Sequence, residues 1–371
     1  MSNSKDQLFG NYIRSLRQER GLGQRELARA IGVSASYLND IEKNKRDAPR
    51  PELVNILSET LDADHYKILD LAGQSRNSIP QDISDMISNR REMIPLLRTI
   101  KDCNLSKNQI INIGENIVAS NTSAIIIAAG LGSRMKSHTE DKPKCLLEFG
   151  GKTLLERQLD VFRSEGIENI SLVRGYKKEK INYEGITYFE NDDYKENNIL
   201  NSLFYGEEAI KGHVIVSYSD ILFDRSVVAR LLNSSYDISI VVDIDWRGYY
   251  VGRKDHPIEE AENVIFDADN SVLQIGKILT NKNDVHGEFI GMLGLSPRGA
   301  EIFKRHFHRA KEQYWDKPFK RAEKFQKAYI TDMIQEMVDL GVPIHCVIIE
   351  RGWKEIDTVE DYEKALQEFK N

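Results

Sequence analysis

The 371-residue sequence predicts two folds in series, an all-α domain followed by an α/β domain with a mostly parallel sheet. Three observations carry this expectation. The length exceeds what one ordinary core fills, so two domains are expected. The first part of the chain holds short amphipathic helical segments punctuated by glycine, with no strand pattern. From Ala124 onward, short apolar runs alternate with helical segments, which is the pattern of a parallel sheet. The expected segments are residues 1–73, a helical connector over 74–121, and residues 122–371.

Composition narrows the class. Hydrophobic residues at 40% and charged residues at 29% describe a globular chain, and a net charge of −7 argues against wholesale nucleic-acid binding while leaving room for a local basic face. Cys103, Cys145 and Cys346 are too few and too far apart for a disulfide framework or a zinc site. Cys145 reads as a small buried residue rather than a reactive thiol. Neither an apolar leader nor a long apolar run is present, so a cytoplasmic protein is expected.

In the first segment, residues 8–20 place Leu8, Tyr12, Ile13 and Leu16 on one helical stripe. Gly21 and Gly23 then break the helix. Gln24–Ile31 forms a second short helix, Gly32-Val33-Ser34 a turn, and Ser34 caps a third helix over Ala35–Asn44. A fourth, Pro51–Leu61, turns Leu53, Ile56 and Leu57 inward. Two short helices joined by a glycine-containing turn make a helix-turn-helix whose second helix reads DNA. Gln24, Leu27-Ala28, Gly32-Val33-Ser34, Tyr37-Leu38, Ile41-Glu42 and the Pro51-led helix closely resemble the phage-repressor-like (XRE) family over residues 8–72. That resemblance implies a phosphate contact at Gln24, base-edge contacts from Ser36, Tyr37 and Asn39, and backbone contacts from Lys43, Lys45 and Arg46. Residues 1–50 carry ten Lys/Arg against six Asp/Glu, a balance of +4 that suits a DNA-facing domain, with Asp40 and Glu42 diluting it slightly. Such domains bind two-fold half-sites, so a homodimer is expected.

The connector shows helical spacing without catalytic character: Ile83, Met86 and Ile87, then Ile94, Leu97 and Ile100, then Ile110, Ile113 and Ile117. It reads as a brace and a dimer-packing element, with Asn121-Thr122-Ser123 as a hinge.

The chemistry begins at Ala124–Leu146. A strand over Ala124–Ile127 feeds the loop Ala128-Ala129-Gly130-Leu131-Gly132-Ser133-Arg134, followed by Pro143-Lys144. Backbone N–H groups at the tip of a strand cradle phosphates, and glycine lets a ligand approach closely. Neither the P-loop ending nor the third glycine of a dinucleotide fingerprint is present. The pattern resembles the signature of sugar-phosphate and phosphocholine nucleotidyltransferases. This implies a Rossmann-like nucleotidyltransferase domain in which Ala129, Gly130, Gly132 and Ser133 hold the nucleotide, Arg134 the leaving pyrophosphate and Lys144 the α-phosphate.

Beyond the loop, helices are expected at Leu154–Glu165 and Ile199–Ala209. Strands are expected at Ile170–Val173, Ile186–Phe189, Val214–Ser217 and Ile344–Ile349. Ligands of such sheets bind beyond the carboxyl ends of the strands. Asp220 ends one strand and Asp357 follows another. Two carboxylates at strand tips facing a triphosphate suit Mg²⁺, and the resemblance gives these aspartates that role. The segment Tyr194–Leu203 is similar to the NN…SL segment of phosphocholine-type cytidylyltransferases, which implicates Asn198 and Ser202 and favours CTP. Asp245–Arg253 and His286–Met292 resemble nucleotidyltransferase domains found with phosphonate biosynthesis. Arg247, Arg253 and Lys277 are then candidates for the acceptor's phosphonate, Glu288 for an amine, and Trp246, Tyr249 and Tyr250 for the pocket wall. The reading is an Mg²⁺-dependent cytidylyltransferase fused to a DNA-binding domain. Its rivals are a regulator that senses CTP or a phosphonate, and a sugar-1-phosphate nucleotidyltransferase.

Overall fold

The computed structural model describes residues 8–368, apart from residues 62, 278 and 280–284. The outer ends of the first and last expected segments, residues 1–7 and 369–371, lie outside the described residues. Two compact units divide between Lys107 and Asn108.

The first unit contains α1 (Phe9–Glu19), α2 (Gln24–Ala30), α3 (Ala35–Glu42), α4 (Pro51–Thr60), α5 (His65–Ser75), α6 (Gln81–Asn89) and α7 (Met93–Asp102). Tyr12, Ile13, Leu27, Leu38, Ile41, Val54, Leu57 and Ile68 fill its core. Ser34 caps α3, its Oγ accepting from the Tyr37 amide at 3.1 Å. Two stripe assignments shift: Leu8 is 49% and Ile56 42% exposed, while Phe9 and Val54 take the inward places. Glu42 does not lie on the exposed face. It is buried, accepting from Arg17 Nε at 2.6 Å and from Gln24 Nε2 at 2.9 Å. The amide donor of Gln24 is therefore spent inside the domain. Ser36, Lys43 and Lys45 are exposed and Tyr37 and Asn39 half-buried, with Arg46 lying 5.6 Å from the Tyr37 ring centre.

The second unit opens with α8 (Lys107–Ser120) and β1 (Thr122–Ala128). Two of the three expected hinge residues, Thr122 and Ser123, belong to this strand. Thr122 and Ser123 are buried because β1 is flanked on both sides, by β4 (Asn169–Arg174) and β6 (His213–Tyr218), in parallel register. Thr122 Oγ1 donates to Val118 O at 2.7 Å, and Ser123 Oγ to His213 O of β6 at 3.4 Å.

The short β2 (Glu148–Phe149) and β3 (Lys152–Thr153) precede α9 (Leu154–Ser164). After β4 come β5 (Ile186–Glu190), α10 (Ile199–Phe204), β6, β7 (Ile221–Phe223), α11 (Arg225–Leu232) and β8 (Ile238–Asp243). The chain continues through β9 (Asn263–Phe266), β10 (Val272–Gly276), β11 (Gly287–Leu295), α12 (Pro297–Tyr314) and α13 (Ile330–Asp339), and finishes with β12 (His345–Ile349), β13 (Trp353–Glu355) and α14 (Val359–Glu368).

The main sheet runs β5-β4-β1-β6-β11-β8-β12, with β9 and β10 continuing beside the start of β11. β5, β4, β1 and β6 are mutually parallel, β11 is antiparallel to its neighbours, and β12 is parallel to β8. Apolar clusters cover both faces, which explains the nearly unbroken apolar runs in the central strands. No helix among the described residues is long and apolar enough to cross a membrane.

Candidate active site

The glycine loop leaves β1 at the carboxyl edge of the sheet. Gly132 adopts φ +61°, a left-handed conformation, and an added Cβ would lie 3.1 Å from the Lys144 Cβ. Both facts exclude a larger residue without strain. Thr139 pins the turn by donating to Gly132 O at 2.9 Å. Ala129 is buried, while Gly130 and Ser133 face solvent.

The two aspartates, far apart in sequence, are brought together by a small ladder. β13 pairs antiparallel with β7, opposing Glu355 to Ile221, and the Ile356 amide donates to Asp220 O at 2.8 Å. Lys144 Nζ lies 2.8 Å from Asp220 Oδ2 and 2.7 Å from Asp357 Oδ1. Arg134 Nη1 lies 2.6 Å from Asp357 Oδ2. Burial pulls the Lys144 ammonium down, but the attraction of Asp220 and Asp357 outweighs it and holds it above the ordinary lysine range. Burial pushes Asp357 up, and Lys144 with Arg134 overcomes this to keep it below the ordinary aspartate value. Two hard carboxylate oxygens that converge on one cationic centre are a donor set suited to a divalent ion.

Sequence reasoning missed two neighbours. His256 Nδ1 is 3.3 Å from Asp357 Oδ2 and 3.5 Å from Glu355 Oε2, so His256, Glu355 and Asp357 offer three possible ligand atoms. Burial, helped by Arg253, takes His256 down to about 4 and leaves it neutral near pH 7. No local spacing announces this histidine.

The Asp357 backbone is held by a capping box. Asp361 Oδ2 accepts from the Thr358 amide at 2.9 Å and the Asp357 amide at 3.2 Å, and Thr358 Oγ1 accepts in return from the Asp361 amide at 3.3 Å. The T-x-x-D pattern at Thr358–Asp361 is the sequence signal for it. Thr358→Val should destabilise the protein by about 1 kcal/mol in urea unfolding, since it removes this cap.

Two cavities meet at the cluster. One, of about 330 Å³, is lined by the glycine loop, Lys144, Asn197, Asn198, Ser202 and Tyr218. The other, of about 150 Å³, is lined by Glu262, Lys277, Glu288, Tyr329 and Glu355. Asn198 lines both and caps α10, its Oδ1 accepting from the Ile199 amide at 2.8 Å. Ser202 is tied to Asn191 and Asn197, at 2.9 and 3.1 Å.

Of the expected acceptor residues, Lys277 and Glu288 line the second cavity, and Lys277 is paired with Glu260 at 2.6 Å. Four others do not. Arg253 is buried against Asp361, at 2.9 Å, and stacks over Tyr249 and Tyr250, so its charge is consumed as a clamp. Arg247 donates to Val285 O at 3.0 Å. Trp246 is buried in a separate aromatic cluster, and Tyr249 donates to Glu355 O at 2.9 Å.

Burial pushes the Glu288 carboxyl up to about 8, partly offset by its hydrogen bond from Tyr250 and by Arg253. An acid raised on folding is uncharged in the folded state, so it destabilises progressively as pH climbs from its ordinary value to its folded one. Glu288→Gln removes that liability. Its Tm should exceed the wild type's by a margin that grows between about pH 5 and pH 8, as read by differential scanning fluorimetry.

A glycine loop and paired strand-tip carboxylates at the carboxyl edge of a mostly parallel sheet define a nucleotidyltransferase domain. Residues 124–274 match the MobA-like NTP transferase domain family, and residues 13–68 match a helix-turn-helix family. The chain thus joins a helix-turn-helix domain to a MobA-like NTP transferase domain with cytidylyltransferase homologues. It is 26% identical over 257 residues to the CTP:phosphoglutamine cytidylyltransferase of Campylobacter jejuni, covering 66% of this chain and 99% of the relative. It is 28% identical to a 2-aminoethylphosphonate cytidylyltransferase of Lancefieldella rimae, covering 53% of this chain and 79% of that one. The fold is shared with the CTP:phosphocholine cytidylyltransferase structure from Streptococcus pneumoniae, at TM-score 0.52 and 23% identity over 67% of this chain and 98% of that one.

Proposed function

We propose that the protein transfers CMP from CTP to a small phosphorylated or phosphonate acceptor bearing an ammonium group, with Mg²⁺ and with release of pyrophosphate. The observation that carries this reading is the Lys144–Asp220–Asp357 cluster where the two cavities meet. The larger cavity takes CTP, with its phosphates on the loop amides of Gly130, Gly132 and Ser133. The smaller takes the acceptor, whose ammonium would face Glu262, Glu288 and Glu355. The curated relatives named for phosphoglutamine and aminoethylphosphonate support an acceptor of this kind.

An ionised phosphoryl oxygen of the acceptor attacks the α-phosphorus. A new P–O bond forms, the bond to the bridging oxygen of pyrophosphate breaks, and no general base is needed. Lys144 neutralises charge on the α-phosphoryl group, and Arg134, half-exposed at the loop, draws off the pyrophosphate. Asp220 and Asp357 would hold the divalent ion, which supplies charge neutralisation at the phosphates.

The first segment is proposed to bind DNA through α3, with Ser36, Tyr37, Asn39, Lys43 and Lys45 on the contact face, and the chain to act as a homodimer. The exposed apolar residues of the 74–121 connector, among them Ile83, Leu97, Ile110 and Ile117, suit packing against a second copy. Light scattering of the full chain checks the dimer. The experiment that tests the catalytic reading is pyrophosphate release with each nucleoside triphosphate and a panel of 2-aminoethylphosphonate, 2-hydroxyethylphosphonate, phosphocholine and a hexose 1-phosphate. Turnover with CTP and one amine-bearing acceptor is expected. Preference for UTP with the hexose phosphate would overturn it, and CTP binding without any turnover would favour a CTP-sensing regulator.

A further inference from the structure

The two cavities share Arg134, Asn198, Ile199, Tyr218, Asp220 and Asp357, so reacting atoms drawn from both must meet among these residues. Tyr218 stands out among them. It is the last residue of β6, its hydroxyl is shielded from solvent, and Tyr218 Oη has no hydrogen-bond partner among the described residues. A buried phenol hydroxyl left without an acceptor is unfavourable unless a ligand completes it. The ring's place is built in. Gly291 on β11 adopts φ +83° where the register with β8 slips, and a Cβ there would lie 2.5 Å from Tyr218 Cδ2. Phe289 packs edge-on at 6.0 Å. Tyr218 lines both cavities, sharing the smaller one with Glu262, Phe289 and Gly291.

We infer that Tyr218 Oη donates a hydrogen bond to a phosphoryl oxygen of the acceptor, making Tyr218 a substrate-binding residue at the junction of the two pockets. The inference rests on the assignment of the smaller cavity to the acceptor. A phenol carries its proton at neutral pH, so the hydroxyl is available as a donor. The cations lining this cavity are already paired, Lys277 with Glu260 and Arg134 with Asp357. An unpaired neutral donor shared by both cavities adds a contact for the phosphoryl end without a further charge.

Tyr218→Phe keeps the ring and its packing and removes only the hydroxyl. Calorimetric titration with Mg²⁺ and α,β-methylene-CTP present would use 2-aminoethylphosphonate, phosphocholine and inorganic phosphate as probes. The variant should bind the nucleotide analogue within about twofold of wild type and bind at least one phosphoryl probe about 10- to 100-fold more weakly. In turnover, the KM for the acceptor should rise while the KM for CTP holds. Equal affinities in the two proteins, or a wild type that binds none of the three probes, would overturn the inference. A wild type that binds a probe but never turns over would count against the transferase reading alone.

Discussion

Asp220→Ala is expected to lower kcat for CMP transfer by about 10³-fold or more while leaving DNA affinity unchanged. Asp220 sits in the turn after β6, and its carboxylate shares Lys144 with Asp357. On the proposed assignment, removing it would leave one aspartate to position a divalent ion, and charge on the triphosphate would be poorly neutralised. The fold should tolerate the change. Asp220 is the most exposed of the three charged groups, at 26% of its side chain, and the β7–β13 ladder holds the turn through its backbone carbonyl. Gln158 also grips the turn, its amide donating to Tyr218 O at 2.9 Å and Ile221 O at 2.6 Å. Pyrophosphate release and Mn²⁺ binding by electron paramagnetic resonance check the prediction together. The variant should lose both, with an unchanged electrophoretic shift on DNA. Activity surviving the substitution would remove Asp220 from the metal site.

How far the site could be read from sequence follows from how local its parts are. The glycine loop was legible because strand, turn and cation lie within one continuous stretch, Ala124–Lys144. The helix-turn-helix was legible for the same reason, through Ser34 as cap and the short spacing of Leu27, Leu38 and Ile41. Asp220 and Asp357 were found by their places after strands. What joins them, the pairing of Trp353–Glu355 with Ile221–Phe223, is a tertiary event. His256 and Glu355 entered the site through that event and through the 245–261 segment, neither of which has a periodic signal. Arg247 and Arg253 show the reverse case. An arginine near a binding motif reads as a ligand for an anion, but burial beside Asp361 turns Arg253 into a clamp, and no spacing rule distinguishes the two. Thr122 and Ser123 read as a hinge because they are polar. They are strand residues because a parallel neighbour on each side supplies the ladder that overrides propensity.

Lys144→Met should reduce kcat by about 10²- to 10³-fold and, in the absence of divalent ions, destabilise the domain by about 3 to 5 kcal/mol. The stability effect has a specific cause. The ammonium is the counter-ion of two carboxylates, one of them almost fully buried, and its loss leaves Asp220 and Asp357 facing each other. The sign of the pH dependence follows from the directions of the shifts. Asp357 is depressed on folding, so its contribution is present above the ordinary aspartate value of 3.8 and disappears as pH falls through the lower folded value. Lys144 is raised, so its contribution is complete below the ordinary lysine value of 10.5 and disappears only as pH climbs through the higher folded one. The wild-type advantage over Lys144→Met should therefore be widest between these two limits and shrink in acid as Asp357 protonates. Mg²⁺ should narrow it at neutral pH by taking the cation's place between the carboxylates. Urea midpoints for both proteins from acid to alkaline pH, with and without Mg²⁺, read all three effects. A gap that ignores both pH and Mg²⁺ would mean that Lys144 contributes packing alone. If the same lysine serves the α-phosphoryl group during transfer, as proposed, the carboxylates would have to release it on binding of nucleotide and metal. On that reading Lys144 would be a cationic placeholder, holding one buried and one partly exposed aspartate in position for the divalent ion.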